Sequence, residues 1–488
     1  MFNYFRNNYI RYLARKQRFL QAVLLSEKGG IHSERIPYCY ARLGMYPSVL
    51  RLPRSSHELG QIAYVVALLA QGEQQQAEQA FTHLLSANSL SQRSLIYFAE
   101  SLLPYRPQWS QLLLQRITHA PVLLRSVVCM CLGELEQAKS LLDSMFESER
   151  VKVRDFELLY ANVGIQQANG KLHYLNHYLE SFDLEKVSFK NSTAPLGVMN
   201  IEGEEIKPCH TDALVSVLTT TYNNIDRLEQ SILSLRQQSY AHIEIIIIDD
   251  ASTDGTDQRV AQWMEEDARI RYIRLPRNVG TFAAKTLGLM AAQGEFVTCQ
   301  DSDDWAHPRK IEYQLMPLLK NKSLMFSMSQ LLRISDEGVF YARRAFPFLR
   351  LNPASPMFRR KEVLERVGAW DCVRTGADSE FLHRLKLVFG PKGYIDIKKP
   401  LTLGAHRANS LMTAPDTGYD EHGVSTVRLA YWDAWMHWHL DCLKRGEVPK
   451  LSAMPWRQAR AFDVPEKLFV PPEDIQLCVD GVGVLREV

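Results

Sequence analysis

The sequence predicts an α/β domain built on a parallel sheet, set behind an all-α region of helical hairpins. Helical periodicity runs to about residue 188 with no convincing strand. From residue 214, short β-branched runs alternate with amphipathic helices, and such alternation folds as a parallel sheet covered on both faces. Polar clusters close three of the strands, at 219–222, 249–250 and 301–304. Sheets of this class bind ligands outside the carboxyl ends of their strands, so the three clusters are expected on one rim.

At 488 residues the chain is long enough for two or three domains, and 46% hydrophobic with 23% charged residues is the composition of a soluble globular protein. The formal net charge of +2 gives no electrostatic case for nucleic acid. Eight scattered cysteines, with no CxxC and no paired Cys/His spacing, point to reduced thiols in a cytoplasmic protein and away from structural zinc. No apolar run reaches the roughly 18–20 residues of a membrane span. The opening segment is aromatic and basic, with Arg6, Arg11, Arg15, Lys16 and Arg18 among Phe2, Phe5, Tyr9, Tyr12 and Phe19. The default reading is a first helix packed on its neighbours, with peripheral contact with an anionic surface at the inner face of a membrane as the alternative.

Within 1–188, paired amphipathic stretches recur at 63–85, 125–146 and 157–182. In each, an apolar helix is expected to end near a glycine (Gly72, Gly133, Gly170) and a second helix to follow. Ala77 and Ala138 stand five residues past the first two glycines, where paired helices must approach closely. The wide first gap leaves room for a degenerate unit around 95–114. The whole loosely resembles a tetratricopeptide-type array, which implies a docking surface for a partner or a second copy of the chain. The competing reading is a helical bundle packed on the downstream domain. Residues 189–213, polar and carrying Pro195, Gly197, Gly203 and Pro208, read as a linker.

The sheet domain is expected over 214–415. LVSVLTTTYNN (214–224) is a buried strand ending in hydroxyls, and HIEIIIIDDASTDGT (242–256) is a second, closed by two aspartates and a turn. RIRYIRL and TFAAKTLGLMAAQ supply a strand and a helix. EFVTCQDSDDWAHPRKI (295–311) then runs an apolar strand into Asp301, Asp303 and Asp304. Carboxylates crowded at a strand end raise one another's pKa unless a cation sits among them, and hard divalent ions with oxygen ligands meet that need. An Asp-x-Asp triplet by itself is more often a solvated turn, so its neighbours decide the matter.

VSVLTTTYNN, IIIIDDASTDGT, RNVGTFAAKTLG, the DSDD cluster and GADSEFLHRL (376–385), in this order and spacing, resemble the family 2 glycosyltransferases with the nucleotide-sugar-binding GT-A fold. The resemblance implies a metal-dependent, inverting transferase that uses a nucleotide-sugar donor, a UDP-sugar being the commonest case. It implies that Thr220 and Tyr222 line the base pocket, that Asp250 accepts a hydrogen bond from the base, and that Lys285 neutralises a phosphate. Asp303 is the implied direct ligand of Mn²⁺ or Mg²⁺, with Asp301 towards the ribose or the metal's water shell and Asp304 orienting that shell or capping the next helix. Asp378, with Glu380 as the alternative, is the implied general base. Trp370 would floor the sugar or acceptor site, or else be core. In LGAHRANSLMT (403–413), His406 is a candidate third metal ligand and Arg407 or Ser410 a phosphate grip. Gly280 permits a tight turn beside the nucleotide or a helix entry. The acceptor implied is a hydroxyl of a surface polysaccharide or glycolipid.

Beyond 416, a helix carries Trp432, Trp435 and Trp438, read as core or as a lipid- or glycan-facing stripe, and a Pro-rich tail follows. Two rival functions stand beside the transferase. A sugar nucleotidyltransferase would want a glycine-rich, basic phosphate loop after the first strand, and TTTYNNIDR offers none. A helical-repeat scaffold with an inactive nucleotide domain is the other.

Overall fold

The computed structural model describes residues 2–482 apart from 32, 344, 409, 415, 421 and 422; the expected domain limit at 415 and the side chains of Phe2 and Phe5 lie outside what is described. Thirteen helices precede the first strand among the described residues. Four of the hairpins they form begin at Glu58, Gln92, Val122 and Phe156, close to the roughly 34-residue period of stacked helical hairpins. The pair Gln92–Leu102 and Pro107–Leu114 fills the gap where a degenerate unit was expected. Gly72 and Gly133 turn the chain at φ +79°, a conformation that costs a residue with a Cβ roughly 1 kcal/mol or more. Ala77 and Ala138 are fully buried where the paired helices meet. Gly170 is not the third break: the first helix of that pair ends at Gly164, and Gly170 lies inside the helix Ala168–Glu180.

The strands up to residue 406 are β1 (Val187–Phe189), β2 (Ile201–Gly203), β3 (Val215–Thr221), β4 (Ile243–Asp249), β5 (Ile270–Arg274), β6 (Phe296–Cys299), β7 (Trp305–Ala306), β8 (Phe326–Ser335), β9 (Phe340–Tyr341), β10 (Arg350–Leu351), β11 (Met357–Arg359) and β12 (Tyr394–His406), and a short separate pair, Tyr419–Asp420 with Gly423–Val424, follows. Ten of them form one sheet in the order β5-β4-β3-β6-β11-β8-β12-β7, with β9 and β10 on β8. The expected parallel pairing holds for β5, β4, β3 and β6, and again between β8 and β12. β11 is antiparallel to both β6 and β8, so the second half is mixed. The expected linker is docked structure: β1 pairs with β2, and Gln230 Nε2 donates to the Ile201 carbonyl at 2.7 Å.

Both faces of β4 are buried, which is why its isoleucines run unbroken. Ile243, Ile245 and Ile247 meet the helices Ile225–Arg236, Thr256–Glu266 and Lys310–Lys320. Ile246 and Ile248 meet the helix Thr281–Ala291 on the other face. Each such side chain contributes about 1.5–3 kcal/mol by leaving water. Gly288 lets that helix lie on the sheet, since a Cβ there would stand 2.7 Å from Ile248 Cδ1.

The helical hairpins are not a free module. Their core is continuous with Leu332, Ile334, Leu401, Leu403 and Ala405 of β8 and β12. Buried Asp155 accepts from Tyr178 Oη within the array (2.9 Å) and from the Phe348 amide of the sheet domain (2.6 Å). The helix Thr426–Arg445 joins both parts: Trp435 is core at 1% exposure, Trp432 Nε1 donates to the Leu43 carbonyl, and Asp433 accepts from the Ser48 hydroxyl and from Arg51. The tryptophan stripe is therefore packing. The tail, expected to run over the surface, straps the segment before Asp378: Arg460 bonds both oxygens of buried Asp371, and the Arg374 amide donates to Leu468.

Candidate active site

Because β4, β3 and β6 are adjacent and parallel, their carboxyl ends lie side by side at Asp249, Thr221 and Cys299. The helix Thr281–Ala291 starts at this rim, and Thr220 Oγ1 lies 2.7 Å from Thr281 Oγ1. One turn on, Lys285 bonds Asp301 Oδ1 through Nζ at 2.9 Å. Burial alone would lower the Lys285 pKa, yet the Asp301 carboxylate, with Asp378 behind it, holds it above the ordinary value. Burial pushes Asp301 upward, but Lys285 together with Arg333 and Lys310 outweighs it and holds the carboxyl below the usual range.

Asp303 pairs with Arg407 of the segment after β12, Nη2 to Oδ2 at 3.1 Å. Burial and then the Asp301 charge still push Asp303 up, and Asp304 goes well above the ordinary value through burial and Asp303. Asp304 Oδ1 accepts from the Ala405 amide at 3.1 Å, tying the cluster to β12 instead of capping the next helix. Asn224 links the sides, reaching Ser302 and Arg407 at 3.4 Å each.

Asp378 lies in the first turn of the helix Ala377–Phe389 and is partly exposed. Burial, opposed by Lys285, raises its pKa. Lys285 thus sits between Asp301 and Asp378 electrostatically. Glu380 is elsewhere. Fully buried, it makes two 2.7 Å bonds to Arg384 and a 3.1 Å contact with His439 Nε2. Burial raises its pKa, but the Arg384 guanidinium overrides that and brings it to about 2. A sealed, ion-paired carboxylate cannot meet a substrate proton, so Glu380 is a structural residue and not a candidate base.

Asp250 is buried and accepts from the amides of Val279 and Gly280, at 2.7 Å each. Burial raises its pKa to about 6 despite those bonds. Its carboxylate holds the loop that enters the Lys285 helix, a role the sequence reading did not include. Gly280 is required there: its φ is +80°, and a Cβ would stand 2.7 Å from Arg374 Cα. Thr220 is buried at the rim, whereas Tyr222 is 52% exposed. The neighbouring hydroxyls of Thr219 and Thr221 are buried without a hydrogen-bond partner.

His406 stacks flat on Tyr341, with centroids 3.5 Å apart and planes at 5°, and among the described residues no group of three or more His, Cys, Asp or Glu side chains is arranged to hold a metal. Trp370 is core, packed on Phe381 at 4.6 Å. Ser410 is engaged in its own turn, accepting from the Met412 amide. Arg333 went unnoticed in the sequence. It donates to the Ala405 carbonyl at 3.0 Å and lowers the pKa of Asp301, Asp303 and Asp304. A single cation inside the apolar run of β8 was its signal.

The donor set fits a hard divalent cation only with help. Asp301 Oδ2 and Asp303 Oδ1 have no hydrogen-bond partner among the described residues, and Asp303 and Asp304 are pushed up by burial first and then by their acidic neighbours. Two oxygens fall short of the roughly six that Mg²⁺ or Mn²⁺ takes, so diphosphate and water would supply the others.

Residues 216–376 match the family described as Glycosyl transferase family 2. The chain is 40% identical over 112 residues to an uncharacterized glycosyltransferase of Haemophilus influenzae, covering 23% of this chain and 45% of the other. It is 38% identical over 125 residues to the putative teichuronic acid biosynthesis glycosyltransferase TuaG of Bacillus subtilis, 26% and 49% of the two chains. It is 33% identical over 142 residues to WfgD of Escherichia coli, a UDP-Glc:alpha-D-GlcNAc-diphosphoundecaprenol beta-1,3-glucosyltransferase, 29% and 55% of the two. The chain thus spans about half the length of these curated relatives. Residues 216–376 thus match the glycosyltransferase family 2 model, and they lie within a larger α/β unit behind an all-helical N-terminal region.

Proposed function

We propose that the chain transfers a sugar from a nucleotide diphosphate donor, UDP-linked, to a hydroxyl of a lipid-linked or polysaccharide acceptor, with inversion at the anomeric carbon. The observation that carries this reading is the Lys285–Asp301 pair at the strand ends, with Asp378 near enough for its charge to act on Lys285. The names of the Escherichia coli and Bacillus subtilis relatives favour a lipid-linked or cell-surface acceptor.

In this reading the unpaired hydroxyls of Thr219 and Thr221 and the loop held by Asp250 form the nucleotide end of the site, with Thr220 and Tyr222 beside them. Lys285 and Arg407 face the diphosphate, where a guanidinium offers two parallel donors and an ammonium a point charge. Asp378 accepts the proton of the acceptor hydroxyl as its oxygen bonds the anomeric carbon and the bond to the diphosphate breaks, the electron pair leaving with UDP. A raised pKa suits this task, because a base whose proton affinity lies nearer the working pH transfers protons more effectively. A bound Mn²⁺ or Mg²⁺, held by Asp303 and Asp301, supplies Lewis-acid stabilisation of the departing diphosphate.

The test is a screen of nucleotide sugars with and without Mn²⁺, read by thermal shift and by release of the nucleoside diphosphate. A specific rise in melting temperature with one UDP-sugar is expected, since a ligand that binds only the folded state stabilises it. Unchanged turnover in both Asp303→Ala and Asp378→Ala would refute the assignment.

A further inference from the structure

The first helix, Phe2–Arg15, has two unlike faces. Ile10, Leu13 and Ala14 are buried against the rest of the molecule, so part of the helix is core. Its other side exposes Asn8, Tyr9, Arg11, Tyr12 and Arg15, continued by exposed Lys16 and Arg18. Tyr9 and Tyr12 stack at 5.9 Å and 12° while remaining 52% and 47% exposed. No acidic residue occurs before Glu27, and Arg11, Arg15, Lys16 and Arg18 form no ion pair among the described residues. Arg35 stands close enough that, after burial, the charges of Arg15 and Arg11 are what most depress its pKa. Its Nε is buried without a hydrogen-bond partner. Cations gathered this way repel one another. The acids behind them, Glu34 and Glu58, are engaged by Ser55, Ser56 and Ser91, and Glu58 offsets the effect on Arg35 only in part.

We propose that this face docks the protein on an anionic phospholipid surface, the tyrosines entering the headgroup layer and the guanidinium groups meeting lipid phosphates. Amphipathic aromatic side chains are favoured at the membrane–water boundary, and clustered Lys and Arg are drawn to an anionic leaflet. The apolar character of the adjoining surface favours lipid over a polynucleotide. A cleft of about 220 Å³ opens next to this face, walled mainly by apolar side chains such as Ile31, Ile36, Pro37 and Tyr40, with Glu27 and Glu34 also in its lining. The inference is independent of the sugar-transfer reading, because its test involves no transfer step.

The full chain is sedimented with vesicles of phosphatidylcholine alone and of phosphatidylcholine with phosphatidylglycerol, at low and raised salt. Salt-sensitive binding to the mixed vesicles only is expected. Combined Arg11→Glu, Arg15→Glu and Lys16→Glu, all at exposed positions, should weaken it by about tenfold or more, and Tyr9→Ser with Tyr12→Ser should weaken it at both salt levels. An unchanged thermal melt shows that the variants fold. Equal binding to both vesicles, wild-type binding by the charge-reversed variant, full competition by soluble glycerol phosphate, or binding to duplex DNA without binding to vesicles would each overturn the proposal.

Discussion

Asp378 and Glu380 stand two residues apart in one helical turn, yet their surroundings differ completely. At 3.6 residues per turn, positions i and i+2 point to nearly opposite sides of a helix. One carboxylate therefore faces the rim and the other enters the core beside Arg384. Asp378→Asn should lower transfer by about 10²–10⁴-fold with little change in donor affinity, in steady-state assays that separate kcat from KM. Its raised pKa places the acidic limb of the rate profile above the ordinary Asp value of 3.8, with activity lost as the pH falls and the base is protonated. That limb should vanish from the residual activity of the Asn variant. Glu380→Gln breaks a fully buried ion pair and should cost about 3–5 kcal/mol in urea unfolding. The folded-state pKa of Glu380 is depressed, so its contribution is complete above the unfolded value of 4.5 and is lost as the pH falls towards about 2. The Gln variant should show a flatter acid limb of stability. Sequence alone ranked Asp378 above Glu380 but could not exclude Glu380, because helix dipoles favour carboxylates throughout a first turn.

At the scale of elements, the decisive unit is the loop and helix from Val279 to Ala291. It receives the Asp250 bonds at its start, carries Lys285 one turn in, and lies on the sheet through Gly288. Gly280→Ala puts a Cβ against the Arg374 backbone at positive φ, and should destabilise by about 1–3 kcal/mol. The same change should weaken nucleotide binding, measured by calorimetry, because the Asp250 contacts and the Lys285 helix shift together. The strand–helix alternation and the polar strand ends were legible from β-branching and period. The antiparallel insertion of β11 was not, since three residues carry no directional pattern. Nor was the burial of Trp370, whose neighbours Phe358 and Phe381 come from two other elements.

Over the whole molecule, the helical array and the sheet domain share one core, and the C-terminal helix and tail bind both ends of it. Thermal unfolding of the full chain should accordingly show a single cooperative transition. Deleting residues 1–188 should leave the apolar face of β8 and β12 bare and give aggregated protein, read by solubility and light scattering. Two separate transitions, or a soluble and folded fragment, would contradict the shared core. By itself the sequence determined the helical character of the first region, the strand–helix alternation from Val215 to Cys299, and that the sheet has a polar, acidic rim at its strand ends, because these follow from local period and from chain direction. The tertiary structure decided which cation answers which carboxylate, that His406 and Glu380 are occupied elsewhere, and that the presumed linker and tail are packed. Those outcomes depend on side chains from distant segments meeting at ångström distances, and no local pattern encodes that.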